Sequence, residues 1–353
     1  MLVDTHLPTD LRELAEATRR AKDSGFDGIF SAEVTGDPLV AAAAATQHAA
    51  DMDFGTKIAV AFARTPMTMA YAANDVHELS GGRFFLGLGT QVKAHVTRRF
   101  SMPWGRPAAQ MREFVLAMKE IWHSWRTDER LAHRGEFYHH TLMTPYFTPE
   151  ITTAAPPAVW LAAVGPRMAA TAAEVADGIV LHGFWTREYL DAVLMPAIEQ
   201  GLARAGRTRS DLAITAGGFL ITGADERELA AVRESVRYQV AFYGSTPAYR
   251  PVFDVHGLGE LGDRLHALSV ESSKDRWQRM TALIGDDVLD LFAVTAEPAG
   301  VAAAMLDRHA DYADRIALPP QVGDPDVWSA QIAALRAGGG GAQDAASASS
   351  AGR

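Results

Sequence analysis

The chain contains no cysteine. That excludes disulfide bonds and thiol chemistry, and it accords with a cytoplasmic location. No apolar run comes near the ~18 residues a membrane helix needs. The start carries no basic segment leading into an apolar stretch; Asp4, Asp10 and Arg12 come early instead, so no signal peptide is expected. Positive charge is in deficit as well. Lys and Arg number 33 against 43 Asp and Glu, a net −10, which argues against a nucleic-acid or membrane partner. Absent motifs narrow the chemistry further. No HExxH is present, and His139-His140 with the scattered carboxylates lack metal-ligand spacing, so no metal is expected. No G-x-S-x-G elbow points to a serine hydrolase. Gly87-Leu88-Gly89 lacks the third glycine of a dinucleotide fingerprint.

What is present is an alternation of short apolar runs and helical periods. Strands are expected at Leu2–Leu7, Asp27–Ser31, Phe54–Phe62, Arg83–Leu88, Val159–Ala163, Gly178–His182, Leu212–Ile221 and Arg315–Leu318. Helices are expected from Pro8-Thr9-Asp10 to Gly25, then over 38–50, 66–79, 107–125, 166–176, after 182 to about 205, 225–243 and 298–309. The long helix carries Met111, Phe114, Val115, Met118, Ile121 and Trp122 at helical spacing. Leu79 to Thr90 is the densest stretch: Ser80-Gly81-Gly82 ends a helix, 83–88 has no helical period, and Gly87 and Gly89 leave bare backbone at the strand exit. Backbone N–H groups exposed there suit close approach to a phosphate or a planar ring.

Eight strand–helix steps in series predict an α/β fold, a (β/α)8 TIM barrel, as one domain over 1–336. Two insertions interrupt it, one after strand 4 at about 128–158 and one before strand 8 at about 244–295. Long insertions of this kind serve as lids or substrate walls. The end, 337–353, is Gly, Ala and Ser with almost no apolar bulk and is expected to be disordered.

In such a barrel the chemistry sits where strands end. That selects His6, Glu33, Arg64, Thr90, Gln91, Val164 to Arg167 and His182. Arg64 precedes Pro66 and also suits bracing its loop.

Four stretches resemble the luciferase-like monooxygenase superfamily and, within it, the branch that depends on coenzyme F420: AKDSGFDGIFSAE (21–33), GTKIAVAFARTP (55–66), SGGRFFLGLGT (80–90) and WLAAVGPRMAATAAEVADG (160–178). FAVTAEPAGVAAAM and Ala313-Asp314-Arg315-Ile316 resemble the family's approach to strand 8, so the likeness spans about 1–320. It implies a luciferase-like barrel holding a flavin-like ring across its mouth, backed by a non-proline cis peptide that falls by position at Lys57–Ile58. A small residue is usual where this chain has Lys57. The resemblance further implies that Gly89, Thr90 and Gln91 contact the cofactor and that Val164, Gly165, Pro166, Arg167 and Met168 hold its phosphate at a helix start. His6, Glu33 and His182 are the acid–base candidates, and Tyr138, Phe147, Phe184 and Trp185 the candidate apolar walls.

Coenzyme F420 is the expected cofactor, with FMN as the alternative. Lys93, His95, Arg98 and Arg99 cluster after strand 4 of an acidic chain, and a basic rim attracts an oligoglutamate tail. A solvated helix face accounts for the same cluster. Members that oxidise sugar phosphates carry a Glu where this chain has about Val92, and an Asp-His pair where it has Glu33-Val34, so glucose-6-phosphate oxidation is not carried over. The reading is hydride transfer between a deazaflavin and a small organic substrate. The alternatives are an FMN-dependent monooxygenase fed by a partner reductase, and a non-catalytic cofactor-binding protein. The alanine-rich 40–50 segment is compatible with a homodimer.

Overall fold

The computed structural model describes residues 1–127, 129–319 and 324–338. Its main sheet is parallel and closed. The strands are β1 (Leu2–His6), β2 (Gly28–Ser31), β3 (Asp53–Thr56) and β4 (Phe84–Gly89), followed by β5 (Ala158–Ala163), β6 (Gly178–Leu181), β7 (Ala213–Ala216) and β8 (Arg315–Ala317). Each pairs with its sequence neighbour, and β1 closes the ring on β8 through Leu2 opposite Arg315 and Val3 opposite Ile316. This is the expected (β/α)8 TIM barrel.

Alternation along the strands separates two environments. One set of residues faces the helices, including Val3, Ile29, Phe54, Leu86, Leu161 and Ile214, and joins the large apolar core. The other set fills the barrel lumen, where Phe30, Phe85 and Trp160 form their own cluster with Ala158, Val180, Ala213 and Ala317. Phe85 and Trp160 stack with centroids 4.1 Å apart. Glycine makes room for them: a Cβ on Gly55 would lie 2.0 Å from the Phe85 ring, and one on Gly178 would lie 2.5 Å from Trp160.

The helices that cover the barrel are α1 (Leu14–Asp23), α2 (Pro38–Ala45), α3 (Pro66–Leu79), α4 (Pro107–Arg126) and α5 (Pro166–Val175), then α6 (Met195–Arg204), α7 (Glu226–Gly244), α8 (Val301–His309) and α9 (Pro325–Gly338). Thr65 caps α3 in a reciprocal box with Thr68, and Asp37 caps α2 by accepting from Leu39 N and Val40 N. The apolar stripe of α4 is buried as expected, from Met111 to Trp125.

Several expectations are corrected. Strand 3 is not continuous to Phe62: it stops at Thr56, resumes over Ala59–Val60 and ends in a 3-10 turn, with a cis peptide at Lys57–Ile58 in the gap. Strand 7 leaves the barrel at Gly217-Gly218, where Gly218 has φ +126°, and Phe219–Ile221 pairs instead with Ala293–Thr295. The helix after strand 2 ends at Ala45 rather than Ala50. The 128–158 insertion follows α4, and its hairpin pairs His133 with His140. Glu113 of α4 holds that hairpin by accepting from the N–H groups of Glu136, Phe137 and Tyr138. The 244–295 insertion is mostly helical. The helix α9 after strand 8 was not expected; Trp328, Ile332 and Leu335 bury it, and it reaches into the segment read as a tail. The rest of that tail, from 339, lies outside the described residues. No helix among the described residues is long and apolar enough to cross a membrane.

Candidate active site

The lumen beneath the mouth is charged. Lys57 Nζ donates to Asp4 Oδ2 at 2.7 Å and to Thr215 Oγ1 at 2.9 Å, and it lies 4.3 Å from the Phe30 ring centroid. Arg315 binds the same carboxylate through Nη2 at 2.6 Å and reaches Asp53 through Nη1 at 2.6 Å. Burial opposes the Asp4 charge, but Lys57 and Arg315 outweigh it and hold its pKa down at about 2. Burial lowers the Lys57 ammonium, and Asp4 offsets part of that. The side chain of Lys57 is thus committed to the lumen, where the resemblance implied contact with a cofactor.

His6 follows Asp4 by two residues and ends β1. Its surface opens on the mouth, and its ring lies 4.3 Å from Phe30. Enclosure by protein atoms pushes its pKa down to about 4; the Lys57 charge pushes the same way and Asp4 resists. No hydrogen bond engages either ring nitrogen among the described residues, which leaves a neutral, free imidazole.

His182 follows β6. Its Nδ1 accepts from Phe184 N at 3.0 Å, so Nε2 carries the proton. Burial lowers its pKa to about 4. His182 is therefore a hydrogen-bond donor, with the nitrogen needed for a base already occupied.

Glu33 follows β2 and lines the edge of the mouth. Its Oε2 accepts from Val60 N at 2.8 Å and from Arg64 Nη1 at 2.6 Å, while its own N–H donates to Ile58 O at 3.1 Å. Arg64 is pinned further by Asp37 at 2.7 Å. This clamp spans the chain on both sides of Ala59. Through Oε2, Glu33 braces Arg64 and the backbone at Val60.

The strand 4 exit is also turned inward on the protein. A Cβ on Gly87 would lie 1.9 Å from Thr56 O, and one on Gly89 would lie 2.8 Å from Ile58 Cδ1. These glycines make room for the broken third strand. Gln91 has φ +60°, its Oε1 accepts from Val92 N at 2.9 Å, and Thr90 Oγ1 donates to Gln91 O at 2.9 Å. Polar groups read as cofactor contacts thus build a tight turn.

The start of α5 is open. Gly165 is its N-cap, no side chain caps it, and nothing lies within 4 Å of where a Gly165 Cβ would be. Pro166 has no N–H, and Met168 N–H is spent on Gly165 O at 3.1 Å. That leaves the N–H groups of Gly165 and Arg167, with the exposed Arg167 side chain beside them. Val164 O accepts from Tyr189 Oη at 2.9 Å, which fixes the loop from below.

Two cavities flank the mouth. One, about 370 Å³, lies between Glu33, Asp37, Arg64 and Arg99. The other, about 260 Å³, is walled by Phe62, Trp104, Phe137 and Tyr138, with Gln110 donating to Tyr138 Oη at 2.9 Å. Of the other expected walls, Phe184 and Trp185 are core residues at 0% and 2% exposure, and Phe147 is exposed and lines neither cavity. No group of three or more His, Asp or Glu among the described residues is arranged to hold a metal.

A closed parallel barrel with free polar groups at the C-terminal ends of its strands is the architecture of a barrel enzyme. The chain belongs to the luciferase-like monooxygenase family, whose model matches residues 2–315. It is 44% identical over 314 residues to an uncharacterized protein of Mycobacterium tuberculosis, covering 89% of this chain and 92% of that one. It is 28% identical to the F420-dependent glucose-6-phosphate dehydrogenase of Intrasporangium calvum, covering 75% of this chain and 80% of that one. The solved coenzyme F420-dependent tetrahydromethanopterin reductase of Methanopyrus kandleri has the same fold, with a TM-score of 0.74 at 18% identity over 94% of this chain and 96% of that one.

Proposed function

We propose that the protein is a coenzyme F420-dependent oxidoreductase that transfers a hydride between the deazaflavin and a small organic substrate. The observation that carries the choice of cofactor is the short helix Lys93–Arg98: Lys93 and Arg98 are exposed and have no carboxylate partner among the described residues, in a chain of net charge −10. Unneutralised cations beside a barrel mouth favour a ligand with a polyanionic tail over a single phosphate. The F420-dependent relative named above supports the same choice.

The residues present fit such a group. The uncapped start of α5 offers two N–H donors, the helix dipole and Arg167 to a phosphate. The cis peptide at Lys57–Ile58 lies at the mouth between β3 and its continuation. When bound, the cofactor supplies a ring carbon that gives or accepts hydride.

The chain's own residues supply position and protons. The Glu33–Arg64–Asp37 clamp fixes the backbone after Ile58. His6 presents an unpaired, neutral imidazole nitrogen to the mouth as a hydrogen-bonding partner for the reacting groups. His182 donates from Nε2, held in that tautomer by Phe184 N–H. Oxygen has no part in this reading. The test is turnover of protein loaded with reduced F420 under strict exclusion of oxygen: oxidation that depends only on an added organic acceptor supports it, and an absolute need for oxygen overturns it.

A further inference from the structure

The last turn of α7 and the start of the 244–295 insertion bring two tyrosines beside His182. Tyr243 ends α7, and its ring stands 4.7 Å from the imidazole at 84°. Tyr249 closes the 3-10 turn Pro247–Tyr249 and lies 5.0 Å from the same imidazole at 33°. The two phenols are 5.9 Å apart. Behind them Phe184 stacks on Phe292 at 4.5 Å and is fully buried, so the three rings rest on a rigid apolar base.

The polar atoms of this group are free. Neither tyrosine hydroxyl nor His182 Nε2 has a hydrogen-bond partner among the described residues, and none of the three is among the buried unpaired atoms. They keep contact with solvent. The adjoining backbone is bare: Gly183 and Gly218 face each other with 3.8 Å between a Gly183 Cβ position and Gly218 Cα. Phe219 continues the apolar wall, 6.4 Å from Tyr243.

Burial alone lowers His182 and raises Tyr243, and burial with Tyr243 raises Tyr249 to about 12; no Lys, Arg, Asp or Glu acts on any of them. A carboxylate or phosphate placed here would lose its water without gaining a cation. A carbonyl or hydroxyl oxygen finds neutral donors here beside flat faces.

We propose that His182, Tyr243 and Tyr249 form the substrate-recognition wall of the mouth, and that this wall takes an uncharged molecule bearing a carbonyl or hydroxyl oxygen on a flat apolar frame. The proposal rests on the oxidoreductase reading for its purpose, but its test does not need the cofactor. Acetophenone is titrated into the purified protein by calorimetry, with benzoate and glucose 6-phosphate as charged controls. Saturable binding of acetophenone alone is expected. Tyr243→Phe and Tyr249→Phe keep the rings and remove only the oxygens, and each is expected to weaken binding about 2- to 10-fold, the worth of one hydrogen bond. Tyr249→Ala removes the face and is expected to weaken it further, with circular dichroism confirming the fold. No acetophenone binding, equal binding of benzoate, or unchanged affinity in both phenylalanine variants overturns the proposal. F420 binding measured separately keeps the two readings apart: acetophenone without F420 defeats only the cofactor, and F420 without acetophenone defeats only the substrate class.

Discussion

Lys57 and Asp4 meet inside the barrel, Nζ to Oδ2 at 2.7 Å, with the two side chains 5% and 0% exposed. The contact ties the residue before the cis bond to the strand that ends in His6. Charge, mouth geometry and the state of the histidine are therefore one system.

Lys57→Met leaves Asp4 with only Arg315. Breaking one side of a buried ion pair strands charge in a dry interior. The variant is expected to lose about 3 kcal/mol of stability in urea unfolding. A loss too small to resolve contradicts the lumen as described.

Stability is expected to fall on acidification from pH 6.5. Burial holds His182 at about 4 and His309 at about 3, both below their ordinary 6.5. In that window the unfolded chain binds more protons than the folded one, so each histidine costs stability as pH falls, about 1.4 kcal/mol per pH unit. Asp4 acts lower: its folded pKa of about 2 lies below 3.8, so its contribution is intact above about pH 4 and is lost toward pH 2. Unfolding midpoints from pH 7 to 3 check this, and a flat profile down to pH 4.5 contradicts it.

Gly55→Ala and Gly165→Ala are expected to behave oppositely. The first sets a methyl group 2.0 Å from the Phe85 ring and is expected to cost at least about 2 kcal/mol. The second meets open space at the start of α5 and is expected to leave the melting temperature unchanged while weakening binding of the phosphate-bearing cofactor. Equal melting temperatures for the two variants would sink the packing argument.

Glu33→Gln separates positioning from proton transfer. The substitution weakens the hold on Arg64 without changing shape. Lower kcat/KM with an unchanged pH profile is expected; loss of one limb of the profile assigns the carboxylate to catalysis instead.

Much of the fold was legible because its signals are local. Gly25, Gly81-Gly82 and Pro38, Pro66, Pro107 and Pro166 punctuate the helices, and the apolar runs between them are strands buried on both faces. The position of the cis bond was legible through the likeness of 55–66 to the family. The lumen was not. Asp4, Lys57, Thr215 and Arg315 meet across as many as 311 residues of sequence, and no spacing announces that. The end of strand 2 pointed to Glu33, but its bonds to Val60 N and Arg64 depend on a backbone break that no pattern encodes. The same holds for Tyr243 and Tyr249, which reach His182 from the end of α7 and the turn that follows it. Strand 7 was overrun because Phe219–Ile221 keeps the apolar pattern after Gly217-Gly218 has turned it out of the barrel.

The central claim is that the mouth holds a deazaflavin. The most direct test is equilibrium binding of oxidised F420 and of FMN, side by side, at low and high salt, to the native chain and to Lys93→Ala/Arg98→Ala. Tight F420 binding that salt and the double substitution both weaken, with FMN bound poorly, is the expected result. Preference for FMN, unchanged by salt or by loss of the two cations, would contradict it and leave Lys93–Arg98 as a solvated helix face.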